Sequence, residues 1–355
     1  MRSQILFYFA LVFLLTACED WSSSGDIDFS GKKGVYLLCE GNSLYGNSSL
    51  AYYDAENQKV YPDVYFDRNN LPLGDMALSM GMFGDHIYIV VNNSGKLVVI
   101  DKDNMEHKGT IQELISPRAV HFVSNKKAYI SDMQARRITV FNPGTLAVTG
   151  YIPVSDGKPG GSGHATESFV QVGKLVFVTC WLSDNKVLVI DSETDAVIDS
   201  VSVPFQPRQM VVDALSKIWI QTDGEPLNSS GNPEKAALVR LDPLTRKVEK
   251  TFWMKQTGAW IADIRLNPSK DSLLFLAGDL YKMSVKSDKL PDKSLMTLTG
   301  KACYSFGVDP FSGELYLGDA RDYSRNGVVY RFSPQGFPLD TLNVGVCPGD
   351  FLFKN

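Results

Sequence analysis

Four histidines (His86, His107, His121, His164) and five cysteines (Cys18, Cys39, Cys180, Cys303, Cys347) are the side chains of this 355-residue sequence best suited to ligate a metal or attack a substrate. Their spacing does not assemble them. No two cysteines make a C-x-x-C pair and the histidines are scattered, so no zinc ligand set stands at recognisable spacing. The acidic run Asp101, Lys102, Asp103, Asn104 lacks the glycine and bidentate glutamate of a calcium loop. Ser162, inside Gly160-Gly161-Ser162-Gly163-His164, superficially matches a nucleophile motif, yet the closing glycine is missing and no strand-to-helix turn surrounds it. Gly157-Lys158-Pro159 does not continue into the Gly-Lys-Ser/Thr of a phosphate loop. What remains for acid–base or metal-assisted chemistry is His164, Glu167 and Asp223. With so little catalytic signature, the expectation is a binding protein without a cofactor or metal, not an enzyme.

Cys18 has another chemistry open to it. The apolar run from Ile5 to Leu15 follows Arg2 and is too short to span a bilayer permanently, so it reads as a secretory leader. The residues Leu15, Thr16, Ala17 and Cys18 that end it resemble the lipobox of bacterial lipoproteins. The resemblance implies cleavage after residue 17 and lipidation of Cys18. Glu19 and Asp20 directly follow, which resembles the signal for the outer face of the outer membrane in Bacteroides-like bacteria.

A formal charge of −5 with dispersed lysines and arginines argues against nucleic acid as partner, because phosphate backbones need a concentrated basic stripe. Apolar residues make up 44% and charged residues 21%, as in a globular domain, and no second long apolar stretch follows the leader. Membrane attachment is therefore expected through the lipid alone. Cys39, Cys180, Cys303 and Cys347 form no disulfide framework, and buried reduced thiols are the favoured reading.

The elements that must position any site repeat. Seven short strands carry a central aromatic: Tyr36, Tyr88, Tyr129, Phe177, Trp219, Phe275 and Tyr316, each flanked by apolar or β-branched residues. A following strand ends near Asp54, Asp101, Asn142, Asp191 and Asp242, spaced 41 to 51 residues apart. That period fits four-stranded propeller blades of roughly 40–50 residues. The acidic or amide residue at each strand end is read as turn chemistry. Pro348-Gly349-Asp350-Phe351 is similar to the first strands opening at Pro117 and Pro207, whereas the first repeat has none, so the C-terminal strand is expected to complete the first sheet and close the ring. Closure would also set Cys303 and Cys347 at equivalent places in adjacent blades, where a disulfide needs Cα atoms within about 7 Å. The predicted architecture is an all-β, seven-bladed propeller over 34–355, preceded by a leader (1–17) and a tether (18–33).

Loops between second and third strands, and between one blade and the next, open on one face. The first set supplies Asn42, Tyr45, Asn92, Asn93, Asp132, Arg136, Trp181, Asp223, Asp279, Tyr281, Asp319 and Tyr323. The second supplies Asp75, Arg118, His164, Arg208 and Trp260. Together they predict one polar and aromatic basin, suited to a broad ligand decorated with amides or hydroxyls.

Leu38-Cys39-Glu40-Gly41-Asn42, Leu50-Ala51-Tyr52-Tyr53-Asp54, Pro72-Leu73-Gly74-Asp75 and the strand from Ile89 to Ser94 resemble the YncE-like propeller lipoproteins of Bacteroides-type bacteria, within them the BtuG type. The resemblance spans almost the whole mature chain. It implies a surface lipoprotein that captures cobalamin and hands it to a BtuB-like TonB-dependent transporter. Two other readings stand beside it: a glycan-binding or scaffolding lipoprotein of another uptake system, and a lactonase- or lyase-like propeller enzyme using His164, Glu167 and Asp223.

Overall fold

In the strand Gly34–Cys39 successive side chains point to opposite faces, and both faces are apolar. Tyr36 and Leu38 pack against Ile87, Ile89 and Val98 of the second repeat, while Val35 and Leu37 pack against Val329 and Leu342 of the seventh. A strand buried on both sides needs a neighbouring sheet on each, and repetition of that demand produces a ring.

The computed structural model describes residues 27–155, 163–226, 231–256 and 258–355; Cys18 and Ser162 lie outside them. Seven antiparallel sheets form a β-propeller, and seven apolar clusters each lie between two adjacent sheets. Six sheets have four strands. The first blade takes its innermost strand from the C-terminus, Pro348–Lys354, paired to Gly34–Cys39. Closure thus comes from the segment that the sequence singled out.

The turn reading holds at the strand ends. Asp54, Asp101 and Asp242 each accept two backbone N–H groups through Oδ1, and Asn142 and Asp191 accept one each. Four residues after each of these, Gln58, Met105, Leu146, Asp195 and Arg246 take up left-handed backbone with φ of 51 to 62°.

Blade six departs from the pattern. It has three strands, Asp263–Leu266, Ser272–Ala277 and Asp279–Ser284, and a lone bridge between Leu280 and Met296 stands where an outer strand would run. Residues Gly278 to Tyr281, expected as a rim loop, are a tight turn at Gly278 (φ 74°) and the start of a strand. Phe275 also faces blade five, beside Trp219, whereas Tyr36, Tyr88, Tyr129, Phe177, Trp219 and Tyr316 face the following blade. The ordered body begins before residue 34: Phe29 is buried and stacks on Tyr52 at 3.9 Å. The four described cysteines are free thiols, Cys303 and Cys347 included.

Candidate functional site

Six of the seven innermost strands lose register at the same height, near the start of the strand. Extra residues are accommodated there by bulges: Leu78, Arg118-Ala119, Glu167-Ser168, Arg208-Gln209, Tyr304 and Gly349. A bulge re-aims side chains that regular pleating would bury between sheets. Here each of these residues lines a central cavity of about 370 Å³, joined by Glu40, Gln221, Asp263, Arg265 and Asp350.

A circle of hydrogen bonds fixes this level, one across every blade junction. The hydroxyls of Ser79, Ser131, Thr179 and Ser305 donate to the carbonyls of Arg118, Glu167, Arg208 and Pro348 in the next blade, at 2.6 to 2.8 Å. Gln221 Nε2 donates to the Ile261 carbonyl. At the two remaining junctions a carboxylate accepts: Asp350 from Met80 N at 2.9 Å and Asp263 from Phe306 N at 3.2 Å.

Charge is dense within the circle. Glu167 takes a bidentate pair of bonds from Arg118, at 2.6 and 2.8 Å. The guanidiniums of Arg118 and Arg208 both lie over the indole of Trp181, at 5.4 and 5.5 Å, and Trp181 Nε1 donates to Asp223 Oδ2 at 2.9 Å. Arg265 holds Asp263 at 2.9 Å and approaches Asp350 at 3.7 Å. Glu40 accepts from Tyr304 Oη at 3.2 Å, and its ordinary pKa is pushed up to about 7 by burial. Burial likewise raises Asp263 to about 6 and moves Asp223 and Asp350 upward. A Cβ on Gly349 would stand 2.2 Å from Glu40 Oε1, so a side chain there would displace the Glu40 carboxyl.

The residues expected at the basin fall into three groups. Arg118 and Arg208 line the cavity, both lying over the Trp181 indole, and Asp223 accepts from the N–H at the edge of that ring. Tyr45, Trp260 and Tyr323, 79, 45 and 50% exposed, stand on rim loops of the same face, as does Arg136. The rest serve the loops. Asp75 and Asn93 bond each other, with Asp75 also accepting from Leu44 N, while Asn42 donates to the Tyr323 carbonyl. Asn92 is buried on Ser116 and Pro117; Asp132 and Asp319 are buried on backbone N–H groups. Asp279 accepts from Leu298 N, and Tyr281 stacks on Phe275 at 5.1 Å.

His164 is drawn away from Glu167 and Asp223 into a different cluster. Its Nδ1 bonds Asp184 Oδ2 at 2.6 Å, beside buried Cys180. Sequence reasoning missed Glu40, Gln221, Asp263, Arg265, Tyr304 and Asp350 as cavity residues. A usable signal existed for Tyr304 and Asp350, which stand one or two places after a strand-opening residue, as Arg118 and Arg208 do after Pro117 and Pro207.

The family model described as "Domain of unknown function (DUF5074)" matches residues 33–343. The chain belongs to this family. No curated protein matches it significantly. Among solved structures, this DUF5074 propeller is similar to a quinonprotein alcohol dehydrogenase-like protein from Bacteroides thetaiotaomicron, with 13% identity, TM-score 0.69, and 91% of this chain and 79% of that one covered. It is also similar to the periplasmic gluconolactonase PpgL of Pseudomonas aeruginosa, with 14% identity, TM-score 0.65 and coverage of 90% and 99%. A putative 6-phosphogluconolactonase from Bacteroides fragilis gives 15% identity, TM-score 0.63 and coverage of 92% and 99%. At such identities the shared property is the propeller fold.

Proposed function

We propose that this chain is a cell-surface lipoprotein of the outer membrane that binds cobalamin or a related corrinoid and passes it, chemically unchanged, to a BtuB-like TonB-dependent transporter. The observation that carries the reading is the one-sided mouth: a preformed, hydrogen-bonded circle of charged groups encircled by exposed Leu44, Tyr45, Ile115, Leu182, Trp260 and Tyr323 on the same face. A broad macrocycle with apolar faces and amide-edged rim meets both halves of that surface. Little of the site has to order on binding, because the bulged residues are already clasped between blades, and that lowers the entropic cost of association.

Glu167 is held by Arg118 and Asp223 by Trp181, which suits recognition better than proton transfer. Calorimetric titration with cyanocobalamin is the test. Saturable heat at low micromolar protein is expected, and none would refute the reading. A stoichiometric divalent metal in the purified protein would instead favour lactonase-like chemistry. The address is checked by radiolabelled palmitate, whose incorporation should vanish in Cys18→Ser, and the hand-off by co-purification with a TonB-dependent transporter.

A further inference from the structure

We infer that the channel wall formed by blades three to five is a seat for a singly charged oxyanion, a carboxylate or a phosphodiester, gripped by Arg208. Among the described residues the Arg208 guanidinium makes no hydrogen bond or ion pair; it lies over Trp181 and lines the cavity. The residue is half-buried and none of its nitrogens is enclosed by protein, so its donors are open to the channel.

Its surroundings supply further donors. The Thr179 hydroxyl accepts from Ser168 N at 3.0 Å and donates to the Arg208 carbonyl at 2.7 Å, which holds the bulges of blades four and five side by side. The Ser168 hydroxyl and the Gln209 amide line the cavity and, among the described residues, have no hydrogen-bond partner. Arg118 commits Nε and Nη2 to Glu167 and leaves Nη1 free. The opposite wall is matched within itself: Arg265 holds Asp263 at 2.9 Å and faces Asp350 at 3.7 Å, and Glu40 takes the Tyr304 hydroxyl. Unmatched donors are thus gathered on one side of the channel.

A guanidinium fork matches two neighbouring oxygens of a carboxylate or phosphate. An alkylammonium would meet Arg208 with like charge, and Glu167, the carboxylate of the same wall, is already taken by Arg118. A carboxamide offers a carbonyl oxygen but leaves the charge of the arginine uncompensated. A dianion sets a second charge against Glu167. Glu40 and Asp223 are the other carboxyls within electrostatic reach of Arg208; burial pushes Glu40 up to about 7 and Asp223 upward, so both give up their charge readily as an anion enters. On the corrinoid reading the occupant is the phosphodiester of the nucleotide tail. That assignment rests on the corrinoid reading, whereas the seat rests on the free guanidinium and its neighbouring donors.

Saturation-transfer NMR with millimolar probes tests the seat without any corrinoid. Propionate or dimethyl phosphate should give a signal that propionamide and propylammonium do not, and Arg208→Met should abolish it. The methionine keeps an unbranched side chain against Trp181 and breaks no hydrogen bond, so the fold persists. Glu40→Gln removes a neighbouring carboxyl and should retain the signal or strengthen it. A response to dimethyl phosphate alone assigns the seat to a phosphodiester, and one to propionate alone to a carboxylate. In calorimetry, Arg208→Met should weaken cyanocobalamin binding about tenfold or more, the loss expected when a charged hydrogen-bond donor is removed. Unchanged cyanocobalamin affinity beside an Arg208-dependent oxyanion signal keeps the seat and takes the corrinoid phosphodiester out of it. No cyanocobalamin binding, with the same signal, refutes the corrinoid reading and keeps the seat. No response to either oxyanion, an equal response to propionamide, or a response that survives Arg208→Met or is lost in Glu40→Gln overturns the seat.

Discussion

Replacing Arg118 by methionine keeps the apolar stem and removes the guanidinium, so Glu167 loses both of its short bonds, at 2.6 and 2.8 Å. The two side chains are each only 12% exposed. Removing one partner of a well-buried pair costs about 3–5 kcal/mol, because the charge left behind is poorly solvated. This pair borders an open channel that lets water reach the orphaned carboxylate, which places the loss near the lower end, about 3 kcal/mol. For a domain of this size, about 2 °C of melting temperature is lost per kcal/mol, giving a fall of about 6 °C. Glu167→Gln should cost a similar amount by stranding the arginine. The double variant should then lose at least about 2 kcal/mol less than the sum of the two, since contacting residues are not additive. Urea and thermal unfolding followed by circular dichroism measure all three. A fall of less than about 2 °C in Arg118→Met, or strict additivity in the double variant, would refute the claim that the pair acts as one buried unit.

Stability should decline as pH rises from about 4 to 7, because burial lifts Glu40 to about 7 and Asp263 to about 6. An acid with a raised folded-state pKa contributes fully below its unfolded pKa, and that contribution disappears as it ionises in the folded protein. The Glu40 share is at most on the order of 3–4 kcal/mol, at 1.36 kcal/mol for each tenfold change in its acidity, and Glu40→Gln should flatten the slope of melting temperature against pH. Gly318→Ala places a Cβ 2.3 Å from the Pro348 carbonyl and the Ser305 hydroxyl, at the junction that closes the ring, and should cost about 1–3 kcal/mol by overpacking, read from urea midpoints. Deleting 348–355 should leave Gly34–Cys39 with an open inner edge and yield aggregated protein on size exclusion; a soluble monomer with native melting would contradict closure by that strand. The thiols of Cys39 and Cys303 are pushed up to about 12 and that of Cys347 to about 11, so disulfide-exchange reagents at pH 8 should react slowly until denaturant is added.

Blade number, blade period and ring closure were legible because each is written locally. Alternation along Gly34–Cys39, the aromatic at the centre of each second strand and the Asp or Asn at each third-strand end can be read within a few residues. Blade six was the exception. Phe275 keeps its place in the pattern yet faces blade five, and nothing in the run from Asp279 to Ser284 announces that no fourth strand follows. Of the site, Arg118, Arg208 and Trp181 were foreseen from loop position, whereas Glu40, Asp263 and Asp350 were not. Asp350 bonds Met80 across 270 residues of sequence, and Tyr304 bonds Glu40 across 264.

By itself, the order of residues determined that the chain would make repeated two-faced strands and where it would close on itself, since side-chain alternation and turn formation are satisfied strand by strand. Only the tertiary structure decided which charges share the channel, which donors go unpaired and which aromatic lies over which arginine. Those outcomes depend on bulges at one height in six separate strands, and on electrostatic and hydrogen-bond partners that meet only when the ring is complete.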